Sequence, residues 1–171
     1  MGKPLVGIVM GSDSDYSVLK SAGDVLSELG IDFEITVCSA HRTPARAAEY
    51  FQTAEERGLK TVICAAGMAA HLAGAAAANT ALPVIGVPVG GGPLNGQDAL
   101  LSTVMMPPGL PVATVAINGA RNAGILAAQI IAVGDPAVGA KVKALRKKGE
   151  EKVNAIAADW AKNGPKAPEK G

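Results

Sequence analysis

The chain has two histidines, and both sit in small-residue turns that follow apolar runs: Ser39-Ala40-His41-Arg42-Thr43-Pro44 and Ala66-Gly67-Met68-Ala69-Ala70-His71-Leu72-Ala73-Gly74. An open parallel α/β sheet binds its ligands in such turns, at the carboxyl ends of its strands. Histidine is the side chain best matched to proton transfer near neutrality, so the pattern predicts acid/base chemistry. A third turn, Gly11-Ser12-Asp13-Ser14-Asp15-Tyr16, stands between an apolar run and an amphipathic stretch. A Gly-bearing turn that feeds a helix N-terminus offers free backbone N–H groups and the positive end of the helix dipole, which suits a phosphate; Ser12 and Ser14 add hydroxyl donors. The stretch Ser12 to Asp15 also fits a capping box, with Ser12 as the cap and Asp15 reaching back, and the local sequence leaves both readings open. Two carboxylates beside a phosphate repel it, so Asp13 and Asp15 are expected to meet sugar hydroxyls or a cation, which favours a ribose phosphate. Arg42 supplies the complementary charge, because a guanidinium forks onto phosphate oxygens. Adjacent strands would bring its turn beside the Ser-Asp turn.

Other roles for His41 draw on the same neighbourhood: a solvated loop histidine, a core histidine satisfied by backbone, a metal ligand with Cys38, His71 and a carboxylate, or the partner of a Cys38 nucleophile. No C-x-x-C or H-x-x-x-H pair is present, which argues against the metal. Alternation along a strand end directs Cys38 into the core. The Walker sequence is absent, as is G-x-G-x-x-G after the first strand, so neither a P-loop nor a standard dinucleotide site is supported.

The elements that must hold these turns are legible as Val- and Ile-rich runs at Leu5 to Met10, Ile31 to Cys38, Thr61 to Ala66, Pro83 to Val89 and Pro111 to Ile117. They predict five strands. Between them lie helical patterns, such as Val18, Val25, Leu26 and Leu29 on one face. Thr43 to Arg57 reads as a helix with Pro44 in its first turn and a left-handed cap at Gly58. Ala69 to Asn79 reads as a small-residue helix suited to close burial, and Gly90 to Gly96 as a loop, a candidate lid. Strands alternating with helices of these lengths predict parallel βαβ units in a three-layer α/β sandwich, flavodoxin-like or Rossmann-like, with five or slightly more strands. Residues 1–134 are expected to form a single α/β catalytic domain. Residues 135–161 read as a long C-terminal helix whose stripe of Val138, Val142, Leu145, Val153, Ile156 and Trp160 packs on its own domain or, as favoured here, on another subunit. Residues 162–171, rich in Lys, Pro and Gly, are expected to be a flexible tail.

Composition narrows the partners. A chain of 171 residues with 49% hydrophobic residues can bury one substantial core. With 3% aromatics and a net charge of +1, it lacks both the stacking platforms and the basic excess of nucleic-acid binders. The N-terminus predicts no secretory signal, and no run reaches about 18 apolar residues free of turn formers, so a cytoplasmic protein without a membrane span is expected. Cys38 and Cys64 then read as buried small hydrophobes rather than a disulfide.

Four motifs in this order and spacing, Val9-Met10-Gly11-Ser12-Asp13-Ser14-Asp15, Ser39-Ala40-His41-Arg42-Thr43-Pro44, Ala69-Ala70-His71-Leu72 and Pro83-Val84-Ile85-Gly86-Val87-Pro88-Val89, carry a specific resemblance. Over roughly Leu5 to Val133 the chain resembles the N5-carboxyaminoimidazole ribonucleotide mutase family, class I of the phosphoribosylaminoimidazole carboxylase catalytic subunits. The resemblance implies a flavodoxin-like octamer with active sites built from more than one subunit and with no metal or organic cofactor. It implies a reaction that moves a carboxylate from the exocyclic nitrogen of an aminoimidazole ribonucleotide to ring C4. Ser12, Asp15 and Arg42, with Ser14 and Ser39, would bind the ribose phosphate, and His41 would carry the proton. His71, with Gly67, Ala69, Ala70 and Leu72, would line the pocket or position the carboxylate, and the walls from Ala65 to Ala78 and the loop from Gly90 to Asn95 would keep it closed. The family usually has Gly-Gly-Ala-Ala-His-Leu-Pro-Gly where this chain has Met68 for the second Gly and Ala73 for the Pro; Met105-Met106-Pro107-Pro108-Gly109 and Gly90-Gly91-Gly92-Pro93 also depart from the usual pattern. Two alternatives remain at this level: a carboxylase that uses the unsubstituted ribonucleotide with free carbon dioxide, and a non-catalytic ribonucleotide-binding module.

Overall fold

The computed structural model describes residues 2–167. Among them, five strands, β1 (Val6–Met10), β2 (Phe33–Val37), β3 (Thr61–Gly67), β4 (Val84–Val89) and β5 (Ala113–Thr114), alternate with helices α1 (Tyr16–Glu28), α2 (Pro44–Gln52), α3 (Leu72–Ala77), α4 (Gln97–Val104), α5 (Ala120–Ala132) and α6 (Pro136–Asn163). The strands form one parallel sheet in the order β2-β1-β3-β4-β5. That is the flavodoxin-like order, with its reversal between β1 and β3. Side chains alternate across the sheet and split the core in two. Ile8, Met10, Ile63 and Ala65 pack against α1, α5 and the start of α6, while Val9, Val62 and Cys64 pack with Phe51, Leu59 and Leu72 on the other face. Both faces are covered, which is why the inner strands read as unbroken apolar runs.

Several elements are shorter than their sequence patterns, each for a local reason. The strand expected from Ile31 begins at Phe33 because Gly30 (φ +67°) and Ile31 close the end of α1. Ile31 N–H donates to Leu26 and Gly30 N–H to Ser27, at 2.9 and 3.0 Å, the two bonds of a Schellman cap. The helix expected to run to Arg57 stops at Gln52. Ala54 N–H turns to the Phe51 carbonyl at 3.2 Å and leaves the Tyr50 carbonyl to the Arg57 guanidinium at 3.1 Å, so a side chain takes the acceptor that the next turn would have used. Gly58 does adopt the expected left-handed conformation, at φ +100°, after a stretch of turns. Strand β5 is two residues long because Pro88 faces it. The Pro88 carbonyl accepts from Asn118 at 2.8 Å, but proline has no N–H to return, and the ladder breaks there.

Helix α6 is capped by the Asp135 carboxylate, which accepts from Ala137 and Val138 N–H at 2.9 and 3.2 Å. Val138 and Val142 are buried, Leu145 packs at the core's margin, and Lys141 donates to the Leu29 carbonyl at 2.8 Å. The first half of the helix thus packs on its own chain. Beyond it Val153, Ile156 and Trp160 are exposed. The helix continues through Asn163, past the expected end at 161; residues 164–167 have no regular structure, and the rest of the expected tail lies outside the described residues.

Candidate active site

A cleft of about 610 Å³ opens where the turns after β1, β2, β3 and β4 meet. This is the carboxyl end of the sheet at its order reversal, where such sheets bind ligands. Register explains the convergence: Met10 pairs with Val37 on one side and Ala65 on the other, so the turns after β1 and β2 leave the sheet at one level, and β3 runs two residues further beside β4, to the Gly67–Val89 pair.

The first turn is a single 3₁₀ turn, Asp13–Asp15, ahead of α1. The Ser12 oxygen accepts from Ser14 N–H and from the Ser14 hydroxyl, at 3.4 and 3.0 Å, so Ser12 does act as a cap. Ser12, Ser14 and Asp15 nevertheless line the cleft; capping and an exposed binding surface coexist in the same residues. Asp13, which accepts from the Ser12 hydroxyl at 3.2 Å, is not among the lining residues.

The second turn is held tightly. Thr43 donates to the Ser39 carbonyl through both N–H and hydroxyl, at 2.8 and 2.9 Å, and its hydroxyl accepts from Ser39 N–H at 3.1 Å. Arg42 N–H donates to the Ser39 hydroxyl at 3.1 Å. The Arg42 guanidinium reaches across to the Gly11 carbonyl at 2.6 Å, bringing the cationic turn against the Ser-Asp turn. His41 and Arg42 stay exposed in the cleft. Cys38 is buried in the core and away from the cleft lining, which leaves it no role as a nucleophile. Among the described residues no three His, Cys, Asp or Glu side chains converge as a metal set.

The third turn brings His71 onto His41, with ring centroids 5.0 Å apart and planes inclined by 27°. The histidines, 30 positions apart in sequence, form one stacked pair. Gly67, Ala69, His71 and Leu72 line the cleft as expected, but Ala70 does not. Ala70 N–H donates to the Met68 carbonyl at 2.9 Å in a tight turn, and its methyl is buried at 3% exposure. The expected wall also ends at Leu72, since Ala73 and Ala76 of α3 face the second core. Met68, Val89 and Gly90 to Gly92 also line the cleft. Gly90 is fixed by its N–H, which donates to the Asn118 side chain at 2.7 Å. Asn118 carries no signal in the local sequence beyond its being a residue type tolerant of positive φ, which it adopts at +58°.

Burial raises the Asp15 carboxyl above the ordinary 3.8; the Ser14 hydroxyl, the Ser12 backbone and the Arg42 charge oppose this in that order, and Asp13 adds to it. The fold therefore favours the neutral form. Folding takes up a proton between the unfolded and folded values, so stability is lost as pH rises through that window. Asp15→Asn keeps the group neutral at every pH. Its melting temperature should exceed that of the wild-type chain at pH 7, with the gap closing as the pH falls to the ordinary carboxylate range; equal curves at pH 7 would show that Asp15 is not held against its environment.

A parallel sheet of flavodoxin-like order, with a pair of imidazoles and a guanidinium in one cleft at its reversal, defines an α/β enzyme for a small-molecule substrate. The family model described as AIR carboxylase matches residues 5–152, and the chain belongs to that family. It is 57% identical over 150 residues to the N5-carboxyaminoimidazole ribonucleotide mutase of Thermotoga maritima, covering 88% of each chain. It is 53% identical over 153 residues to the phosphoribosylaminoimidazole carboxylase of Saccharomyces cerevisiae, covering 90% of this chain and 27% of that one. The crystal structure of Treponema denticola PurE superposes with a TM-score of 0.82 at 28% identity, covering 95% of this chain and 99% of that chain. No helix among the described residues is long and apolar enough to cross a membrane.

Proposed function

We propose that this chain is an isomerase of purine biosynthesis that converts N5-carboxyaminoimidazole ribonucleotide to 4-carboxy-5-aminoimidazole ribonucleotide. The observation that carries the reading is the pairing of His41, stacked on His71, with Arg42 and the Ser12–Asp15 turn in one cleft. Relatives with the mutase name, at 53–57% identity over most of the chain, support it. Arg42 with Ser12, Ser14 and Ser39 binds the phosphate, and Asp15 takes ribose hydroxyls, since a carboxylate repels the phosphate itself.

The substrate carbamate breaks its N–C bond when the nitrogen is protonated, and the imidazolium of His41 gives that proton. The bonding pair stays on nitrogen and carbon dioxide is freed in the cleft. Ring C4, enamine-like, attacks the carbon, and the now neutral imidazole of His41 takes the C4 proton as the ring regains aromaticity. Protons and electrons balance with no cofactor. His71 holds the His41 ring in place by stacking and, with Gly67, Ala69 and Leu72, shapes the carboxylate end.

Supplying the purified protein with each substrate separately tests this reading. Turnover of the carbamate is expected, whereas efficient product formation from the unsubstituted ribonucleotide at low bicarbonate, with none from the carbamate, would make it a carboxylase. Arg42→Lys should raise KM about tenfold and change kcat less, because lysine cannot both fork onto phosphate and span to Gly11; an unchanged KM would take Arg42 out of the phosphate site.

The working form is a cytoplasmic homo-oligomer, an octamer, in which residues 1–134 are the catalytic domain. The exposed Val153, Ile156 and Trp160 on the free half of α6 support a subunit contact there, since an apolar stripe on a projecting helix gains by burial. Light scattering should give a mass several times that of one chain, and a monomer would refute the assembly.

A further inference from the structure

Asn118 does not line the cleft, yet it holds a residue that does. Along a regular parallel ladder, every second N–H of one strand donates to a backbone carbonyl of the next. Between β4 and the segment after β5 this pattern runs as far as Val115, whose N–H donates to the Gly86 carbonyl at 3.0 Å. Pro88 then has no N–H to give. The neighbouring segment bulges by one residue, so that Asn118 rather than Ile117 donates to the Pro88 carbonyl, at 2.8 Å. The next donor on the β4 side is Gly90 N–H, and it finds the Asn118 side-chain oxygen at 2.7 Å in place of a backbone carbonyl. Asn118 thus supplies both halves of the ladder beyond the proline, its backbone as donor and its side chain as acceptor. It does so from a left-handed backbone at φ +58°, which asparagine tolerates better than most side chains. Gly90 is held from two sides. A Cβ on Gly90 would stand 2.8 Å from Asn118 Nδ2, and one on Gly96 would stand 2.9 Å from Gly90 Cα, so these three residues pack with no room for a further side chain between them.

We propose that Asn118 is a positioning residue for the reaction: through Gly90 it sets the backbone wall from Gly90 to Gly92 against the reacting ring of the substrate. The inference rests on the mutase reading. Order along the sheet assigns this wall to one half of the cleft. The turn after β4 adjoins the turn after β3, where Gly67 pairs with Val89, and β3 separates it from β1 and the Ser-Asp turn; Arg42, after β2, is farther still. The phosphate is held at the β1 and β2 turns, so the β4 turn meets the ring end of the ribonucleotide. Gly91, where a Cβ would find nothing within 4 Å, presents bare backbone there. Such a wall has no side chain of its own to pack it in place, and its position is imposed through Gly90. A reacting group displaced by about 1 Å loses up to about 100-fold in rate, so the bond that fixes the wall acts on the chemical step. Asn118 takes no part in proton transfer.

The test compares Asn118→Gly and Asn118→Asp with the wild-type chain on the carbamate substrate. Glycine keeps the left-handed backbone and deletes the acceptor, whereas aspartate keeps an acceptor of the same shape. At a temperature where circular dichroism shows all three folded, Asn118→Gly should lose on the order of tenfold in kcat while KM stays within about threefold, because the phosphate contacts are intact. Asn118→Asp should recover kcat to within about threefold of wild type. Amide exchange over residues 89–92 should be faster in the Gly variant than in the other two chains. Unchanged kcat in Asn118→Gly would overturn the proposal, as would an Asp variant as slow as the Gly variant, a loss confined to KM, or equal exchange in all three. Each of those outcomes leaves the mutase reading standing. A wild-type chain that does not convert the carbamate would overturn that reading and this inference with it.

Discussion

Asparagine at His41 is expected to leave ribonucleotide binding in place while turnover falls at least ~100-fold, the usual scale for a lost proton carrier. Binding survives because the phosphate contacts belong to other side chains. Arg42 is oriented by the Ser39 hydroxyl and the Gly11 carbonyl, and none of these bonds passes through the imidazole. Turnover fails because asparagine neither protonates the carbamate nitrogen nor removes the C4 proton, and both steps fall to one group. The loss should appear in kcat, with the dissociation constant measured by calorimetry within about threefold of wild type. His71→Asn is the informative companion. If His71 only stacks and shapes, its loss leaves the proton steps in place and costs less than that of His41. Unchanged turnover in His41→Asn would remove His41 from the mechanism and favour a module that only binds.

How far the sequence disclosed this site depends on the distance over which its contacts are made. Strand runs and the Ser-Asp turn are local, and their places were readable from periodicity and composition. The contact of Arg42 with Gly11 crosses 31 positions, yet it followed from the fold class, because β1 and β2 are neighbours in a flavodoxin-like sheet. The stacking of His41 on His71 was not readable, since it depends on how the β2 and β3 turns lean toward each other over β1. The same holds for Asn118, whose bond to Gly90 spans 28 positions. Element ends are not legible where a side chain or a cap competes for backbone groups, as Arg57 does after α2. The burial of Ala70 is not legible, because nothing in an alanine-rich turn says which methyl faces inward.

Gly124→Val should destabilise the fold by about 3 kcal/mol, the upper range for overpacking against a neighbour that cannot yield. For a chain of this size that lowers the melting temperature by about 6–12 °C. Gly124 lies in α5 against α1, and a Cβ there would stand 2.5 Å from Val25 Cγ1 and 2.9 Å from the Ala22 carbonyl oxygen. Val25 can change rotamer, but the carbonyl is backbone inside a helix, so the helices must separate. Helix propensity works in the opposite direction, since glycine is the poorer helix former by up to about 1 kcal/mol, and it is too small to win. Gly149 in α6 isolates that opposing contribution, because a Cβ there meets nothing within 4 Å; Gly149→Ala should stabilise by up to about 1 kcal/mol. The damage at Gly124 should also reach the cleft. Helix α1 begins at Tyr16, directly after Asp15, so moving α1 away from α5 moves Ser12, Ser14 and Asp15 relative to Arg42. At a temperature where the variant is still folded, its KM should therefore rise while its His41 chemistry is intact. A Gly124→Val chain that melts with the wild type would mean that the close approach of α1 and α5 is not what holds the Ser-Asp turn in place.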